Sequence, residues 1–282
     1  MILYHYTDQN GFMGIFQQRQ LWATQIQFLN DSNEHKLALD LAAEILESYA
    51  EKSQNRNVKG RLNHYKDSIS HIKDRNVCVC SLTENGDLLS QWRGYSKSHG
   101  GYSIGFNYYA LEPYIRLQGF KLVQCIYNKE EQISVVSKMI ETLIEEFKYE
   151  PEPEYGFDIS YESTSTFLDR LSEIAPVLKD PSFEEEAEWR IIVTASFREL
   201  SFRAGKSMLT PFYKVSLQSS DDDKFKFLPL VQEIVVGHTP HPDLAVLATE
   251  AFLINMFPPR LLDGDYSTPI EVRKTSIPFR NW

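Results

Sequence analysis

The chain has 282 residues, 42% hydrophobic and 24% charged, with a formal net charge of −10. That length can bury a proper core, and the balance excludes a disordered chain. The negative charge argues against wholesale binding to nucleic acid, where a basic surface supplies the affinity.

Residues 3–6 read as a first strand, and Asp8 as the N-cap of a short helix with Phe12, Ile15 and Phe16 on one face. A second strand is expected at 21–24. A loop through Asn30, Asp31 and Ser32 then leads into a long helix carrying Leu37, Leu41, Ile45 and Tyr49 at spacings of four. Strands follow at 77–82, 101–106 and 120–127, with a short helical stretch containing Trp92 before the second of these. Helices are expected at 133–147 and 167–174, separated by a Pro- and Glu-rich connection at 150–154. Late strands at 189–195, 210–217 and 233–236, a helix at 242–255 and an edge strand near 270–275 complete the chain. Strands scattered from end to end, with helices inserted irregularly, exclude a repeat protein and predict a mixed α/β (α+β) fold. A single domain over 1–282 is expected, with helical insertions near 33–75 and 129–180.

No apolar run approaches the ~20 residues needed to cross a bilayer. The start lacks the basic region and cleavable apolar stretch of a secretion signal, so a soluble cytoplasmic protein is expected. Cys78 and Cys80 sit two apart in an apolar strand and read as buried free thiols; with Cys125 they offer no zinc-binding spacing. Seven Lys or Arg lie between Lys52 and Arg75, and Glu dominates from Glu141 to Glu188. These read as solvated helical faces, with a phosphate-gripping basic arm as the alternative. Gly100-Gly101 precedes a strand and does not lead from one into a helix, so Rossmann and P-loop logic do not apply.

Four segments carry candidate chemistry. Alternation puts Leu3, His5 and Thr7 on one strand face and Tyr4 and Tyr6 on the other, so His5 is either a satisfied strand residue or a ligand contact. Asn30, Asp31, Ser32 and Glu34 suit a helix start. Trp92, Tyr95 and Tyr102 lie among Gly94, Gly100, Gly101 and Gly105, either as a stacking platform for a flat ligand or as a glycine-rich hairpin around a buried Trp. Glu186, Glu188 and Arg190 fall on one face of a strand entrance, with Trp189 on the other. Neighbouring carboxylates there need a cation, and Arg190 is a candidate.

On these segments the chain resembles a bacterial family of domains of unknown function, whose motifs are Leu3 to Thr7; Phe28, Asn30, Asp31 and Glu34; Trp92, Tyr95 and Gly101; and Phe183, Glu186, Glu188, Trp189 and Arg190. More distantly it resembles ADP-ribosyltransferases, in the order His5, then Tyr102 (or Tyr95), then Glu188 (or Glu186). That second resemblance implies a split or strongly bent mixed sheet with NAD as substrate. It implies that the histidine holds a ribose hydroxyl, the aromatic stacks on nicotinamide, and Glu188 stabilises the oxocarbenium-like ribose while Glu186 serves the acceptor. Tyr6, Thr7, Asn30, Trp92 and Arg190 would complete the binding site. A macromolecular acceptor, nucleic acid or protein, is implied, as are a toxin or antiphage role and an antitoxin or regulatory partner. Two alternatives remain: a non-catalytic nucleotide-binding module, and a metal-dependent nuclease using Asp31, Glu34 and Glu188.

Overall fold

The computed structural model describes residues 1–29, 32–95, 100–148, 161–205, 207–218, 227–258 and 270–278. Among them ten strands form one mixed, open sheet: β1 (Ile2–Asp8), β2 (Gln20–Gln25), β3 (Asn76–Thr83), β4 (Gly101–Asn107), β5 (Lys121–Gln124), β6 (Glu188–Ala195), β7 (Ser201–Ala204), β8 (Leu209–Ser216), β9 (Val231–Val236) and β10 (Glu271–Lys274). The helices are α1 (Gln9–Gln18), α2 (Ser32–Lys52), α3 (Arg56–Ser68), α4 (Leu89–Tyr95), α5 (Tyr108–Leu117), α6 (Lys129–Phe147), α7 (Tyr161–Ile174) and α8 (Pro242–Met256). No helix among the described residues is long and apolar enough to cross a membrane.

The sheet forks at β3. β6 runs along one edge of β3 from Asn76–Ala195 to Thr83–Glu188, and β5 pairs beyond it. The other edge is divided: β1 meets it at Tyr4–Thr83, and β2 meets it at Thr24–Val79 and Gln25–Cys78. One arm continues β1-β4-β9-β10, and the other β2-β8-β7. β10 runs parallel to β9, and all other pairs are antiparallel. Between the arms the edge of β3 needs another partner, since a buried carbonyl without one is costly. His5 supplies it, with Nδ1 2.9 Å from the Ser81 carbonyl oxygen. A carbonyl only accepts, so Nδ1 carries the proton there.

One sheet face holds the main core, in which Leu3, Cys80, Leu82, Ile104, Phe106 and Ile191 pack with residues of α1, α5 and α8. Asp8 caps α1 as expected, accepting from the Gly11 amide at 2.9 Å, and Phe12, Ile15 and Phe16 are its buried residues. Cys78, Cys80 and Cys125 are buried free thiols, and burial pushes Cys78 and Cys80 up to about 12. The two helical insertions pack on each other, α2 and α3 against α6 and α7, around Leu46, Leu62, Tyr65, Ile140 and Phe167.

Three local expectations change. The buried stripe of α2 is Ala38, Ala42, Ile45, Leu46 and Ala50, while Leu37, Leu41 and Tyr49 flank it half-buried. Small side chains let the neighbouring helices approach closely, which a search for large apolar residues overlooks. α5 was not anticipated, because Pro113 within it masks the helical pattern; Asn107 caps it through the Tyr109 amide. β7 was also missed, its four residues being too few for alternation to register. In the basic stretch Lys52, Arg56, Lys59 and Lys73 are exposed, as expected of solvated helical faces, while Arg61 is buried over the Phe147 ring, Arg75 bonds Asp169, and Lys66 pairs with Glu47.

Ala42 is fully buried. Replacing it with Leu should destabilise the protein by about 1–3 kcal/mol through overpacking, read as a lower urea midpoint. An unchanged midpoint would contradict this packing of α2.

Candidate functional site

Register sorts the candidates between the two sheet faces. Tyr4 pairs with Thr83 and Thr83 with Glu188, so Glu188 and Arg190 share the face of Tyr4 and Tyr6. His5 and Thr7 belong to the opposite face, and Tyr102, paired with Thr7, goes with them. The order His5, Tyr102, Glu188 in sequence is therefore not a single cluster in space. What the fold does gather is Glu188, Glu186, Arg190 and Tyr95, together with Lys179 and Tyr127.

Glu188 opens β6 and is 4% exposed. Arg190 forks onto it, Nε to Oε1 at 2.9 Å and Nη2 to Oε2 at 3.0 Å, while Lys179 Nζ bonds its Oε2. The two cations are themselves 2% and 3% exposed. Burial opposes ionisation of Glu188, yet the Arg190 and Lys179 charges overcome it and hold the carboxyl at about 2. Lys179 also bonds Glu186, so two carboxylates meet two cations. The Glu186 side chain keeps 23% of its surface, which makes it the exposed carboxylate of the pair. It does not lie on the strand as expected. It ends a 3-10 turn closed by Ala187 at φ 40°, and reaches the cluster from there through Lys179.

Backbone contacts hold this group at the seam between sheet and helices. Arg190 Nη1 donates to the Pro176 carbonyl at 2.8 Å, and the Glu188 amide donates to Tyr127 Oη at 2.8 Å. Gln132 of α6 donates Nε2 to the carbonyls of Ile126 (2.6 Å) and Lys179 (2.7 Å). Thr83 Oγ1 donates to the Glu186 carbonyl, tying the turn to β3.

Tyr95 ends α4 on the same face. It is 42% exposed, but its hydroxyl lies on the buried side. Burial, with the Glu188 and Glu186 carboxylates, pushes it up to about 12. Trp92 is 1% exposed, set edge-on to Tyr6 at 4.7 Å, with Nε1 donating to Asp87 at 2.8 Å. It is a core residue with no open ring face for a ligand. Tyr6 is buried too; its hydroxyl donates to the Asn85 carbonyl and accepts from the Leu88 amide. Tyr102 is stacked on Phe12 at 4.1 Å, so one ring face is taken by the core. Gly105 makes room for the protein's own Ile2 and Tyr4 side chains, which favours the hairpin around a buried Trp over the platform for a flat ligand. His5 is half-buried at the fork, and burial holds it below its usual value, which makes it neutral near pH 7. Asn30 and Asp31 lie outside the described residues, and the Glu34 side chain is not described. Among the described residues no group of three or more His, Cys, Asp or Glu is gathered as for a metal ion.

Lys179 and Tyr127 escaped the sequence reading. The available signal for Lys179 was a lysine closing the apolar run Ile174-Ala175-Pro176-Val177-Leu178; Tyr127 had none beyond its type.

Residues 91–191 match the model of a family described as a protein of unknown function (DUF2971). Over that stretch the chain carries a domain of unknown function. The matched stretch includes Trp92, Tyr95 and Glu186 to Arg190, and thus the cluster around Glu188. No curated protein and no solved structure matches the chain.

Glu188 titrates lower in the folded chain than its ordinary 4.5, so its stabilisation is present above 4.5 and is lost as pH falls from there toward about 2. Replacing it with Gln should cost about 3–5 kcal/mol at neutral pH, because two buried cations lose a partner. The gap between wild type and variant in urea unfolding should close as pH falls through that window. A gap independent of pH would contradict the assignment.

Proposed function

We propose that this protein is an enzyme of ADP-ribosyl-transferring type, which binds NAD beside Tyr95 and cleaves its nicotinamide–ribose bond. The observation that carries the reading is the partly exposed Glu186 coupled through Lys179 to the ionised Glu188, next to a half-exposed tyrosine at the opening of β6. In this reaction the bond from ribose C1′ to the nicotinamide nitrogen breaks with both electrons leaving on nicotinamide. A lone pair of the acceptor then forms the new bond to C1′, and the acceptor's proton passes to a base or to water.

Positive charge develops on the ribose as that bond stretches, so a carboxylate beside it binds the transition state more tightly than the ground state. Glu188 is ionised, but both its oxygens are already taken by cations. Glu186 is therefore the carboxylate we assign to the ribose, with Glu188, Lys179 and Arg190 as its positioning residues. Tyr95 offers an aromatic face for the nicotinamide ring. His5, on the opposite face of the sheet and with Nδ1 committed to Ser81, takes no part in this site. The acceptor is a macromolecule, nucleic acid or protein.

A second reading, a nucleotide-binding module without chemistry, is favoured by the same saturation of Glu188. Incubation of the pure protein with NAD, with and without cell extract, separates the two. Under our reading free nicotinamide appears; Glu186→Gln lowers its rate by about a hundredfold or more while circular dichroism shows the protein still folded. Tyr95→Ala weakens NAD binding by about fivefold. A rise in melting temperature with NAD but no nicotinamide supports the binding module. Neither effect would overturn both readings.

A further inference from the structure

We propose that β10 and the adjoining face of α8 form an interface between two copies of this chain, related by a two-fold axis. β10 ends one arm of the sheet, and among the described residues no strand pairs with its outer edge. The Thr275 amide donates to the Val236 carbonyl, so odd-numbered residues here turn their backbone groups toward β9. Val272 and Lys274 consequently present theirs outward. Exposed edges of this kind are templates for another strand.

The sequence of β10 selects its own second copy as the occupant. A two-fold that joins two edge strands stands perpendicular to the sheet, makes them antiparallel, and sets residues of equal parity opposite each other. The axis therefore passes midway between a residue and its own copy. Centred on Glu271, Arg273 or Lys274, it would set a charge against its own copy, which destabilises the pair. Centred on Val272, it sets Glu271 opposite Arg273 of the second copy on both sides of the axis. Val272 then exchanges two backbone hydrogen bonds with its copy, which is what its outward-facing groups require.

Each face of the joint sheet gains something from that register. Glu271 and Arg273 lie on the face of Glu233, which Arg273 already bonds through Nε at 3.1 Å. Val272 lies on the core face beside α8, where a groove of about 420 Å³ is lined by Val246, Leu247 and Val272 together with the charged Asp243, Glu250, Arg273 and Lys274. α8 leaves Leu244 63% and Leu247 60% exposed on its outer side, although it is an apolar helix nearly all round. The two-fold brings both grooves and both helices to one side of the joint sheet, so these leucines gain apolar neighbours.

The test is the mass of the full chain in solution. Light scattering after gel filtration of wild type at about 50 µM should give twice the 32.7 kDa of one chain. Glu271→Arg, which sets two arginines face to face at each pair, and Leu247→Glu should each raise the dimer dissociation constant by roughly tenfold or more. Both positions are exposed, so melting temperature and circular dichroism at low concentration should stay as in wild type. A monomeric wild type, or a dimer unaffected by both variants, would overturn the proposal. A variant that unfolds is replaced by Leu244→Gln, read the same way.

Discussion

Burying a carboxylate costs several kcal/mol unless cations meet it, and the geometry of this protein is arranged so that Glu188 is met twice. Arg190, two residues along the same strand, forks onto it from β6. Lys179 comes from the segment that follows α7. The ion cluster thus couples the sheet to the helical insertions: removing any one member strands the others without solvent. Apolar contacts build the two cores on either side, but this polar seam fixes how they meet.

The fork at β3 is the second constraint. Because β1 and β2 share one edge of β3, neither can satisfy it fully, and His5 takes over a backbone acceptor between them. That is a sufficient structural reason for a histidine in the first strand. It also sets His5 on the sheet face opposite the Glu188 cluster, apart from the proposed site.

The sequence made the mixed fold, most helices and the long strands legible, since apolar periodicity reports burial wherever large residues do the burying. It failed where burial was done by alanine, as on α2, where proline interrupted a helix, as at Pro113, and where a strand was as short as Ser201–Ala204. At the site, Glu186, Glu188 and Arg190 were legible from local charge pattern. Their face relative to His5 and Tyr102 was not, because strand pairing across a fork is decided by register over long sequence separations. Lys179 went unread although its glutamates lie only seven and nine residues on: its one local signal, a lysine closing an apolar run, does not say that the chain will turn back on itself there.

Glu188 is an ionised, doubly paired carboxylate inside the fold. Carboxyl-carbon NMR of the folded protein, with Glu188 assigned by comparison with Glu188→Gln, tests it most directly. Its resonance should stay in the ionised position as pH is lowered through 4.5 and move only near about 2. Titration at the ordinary value of 4.5, with the protein still folded, would contradict it.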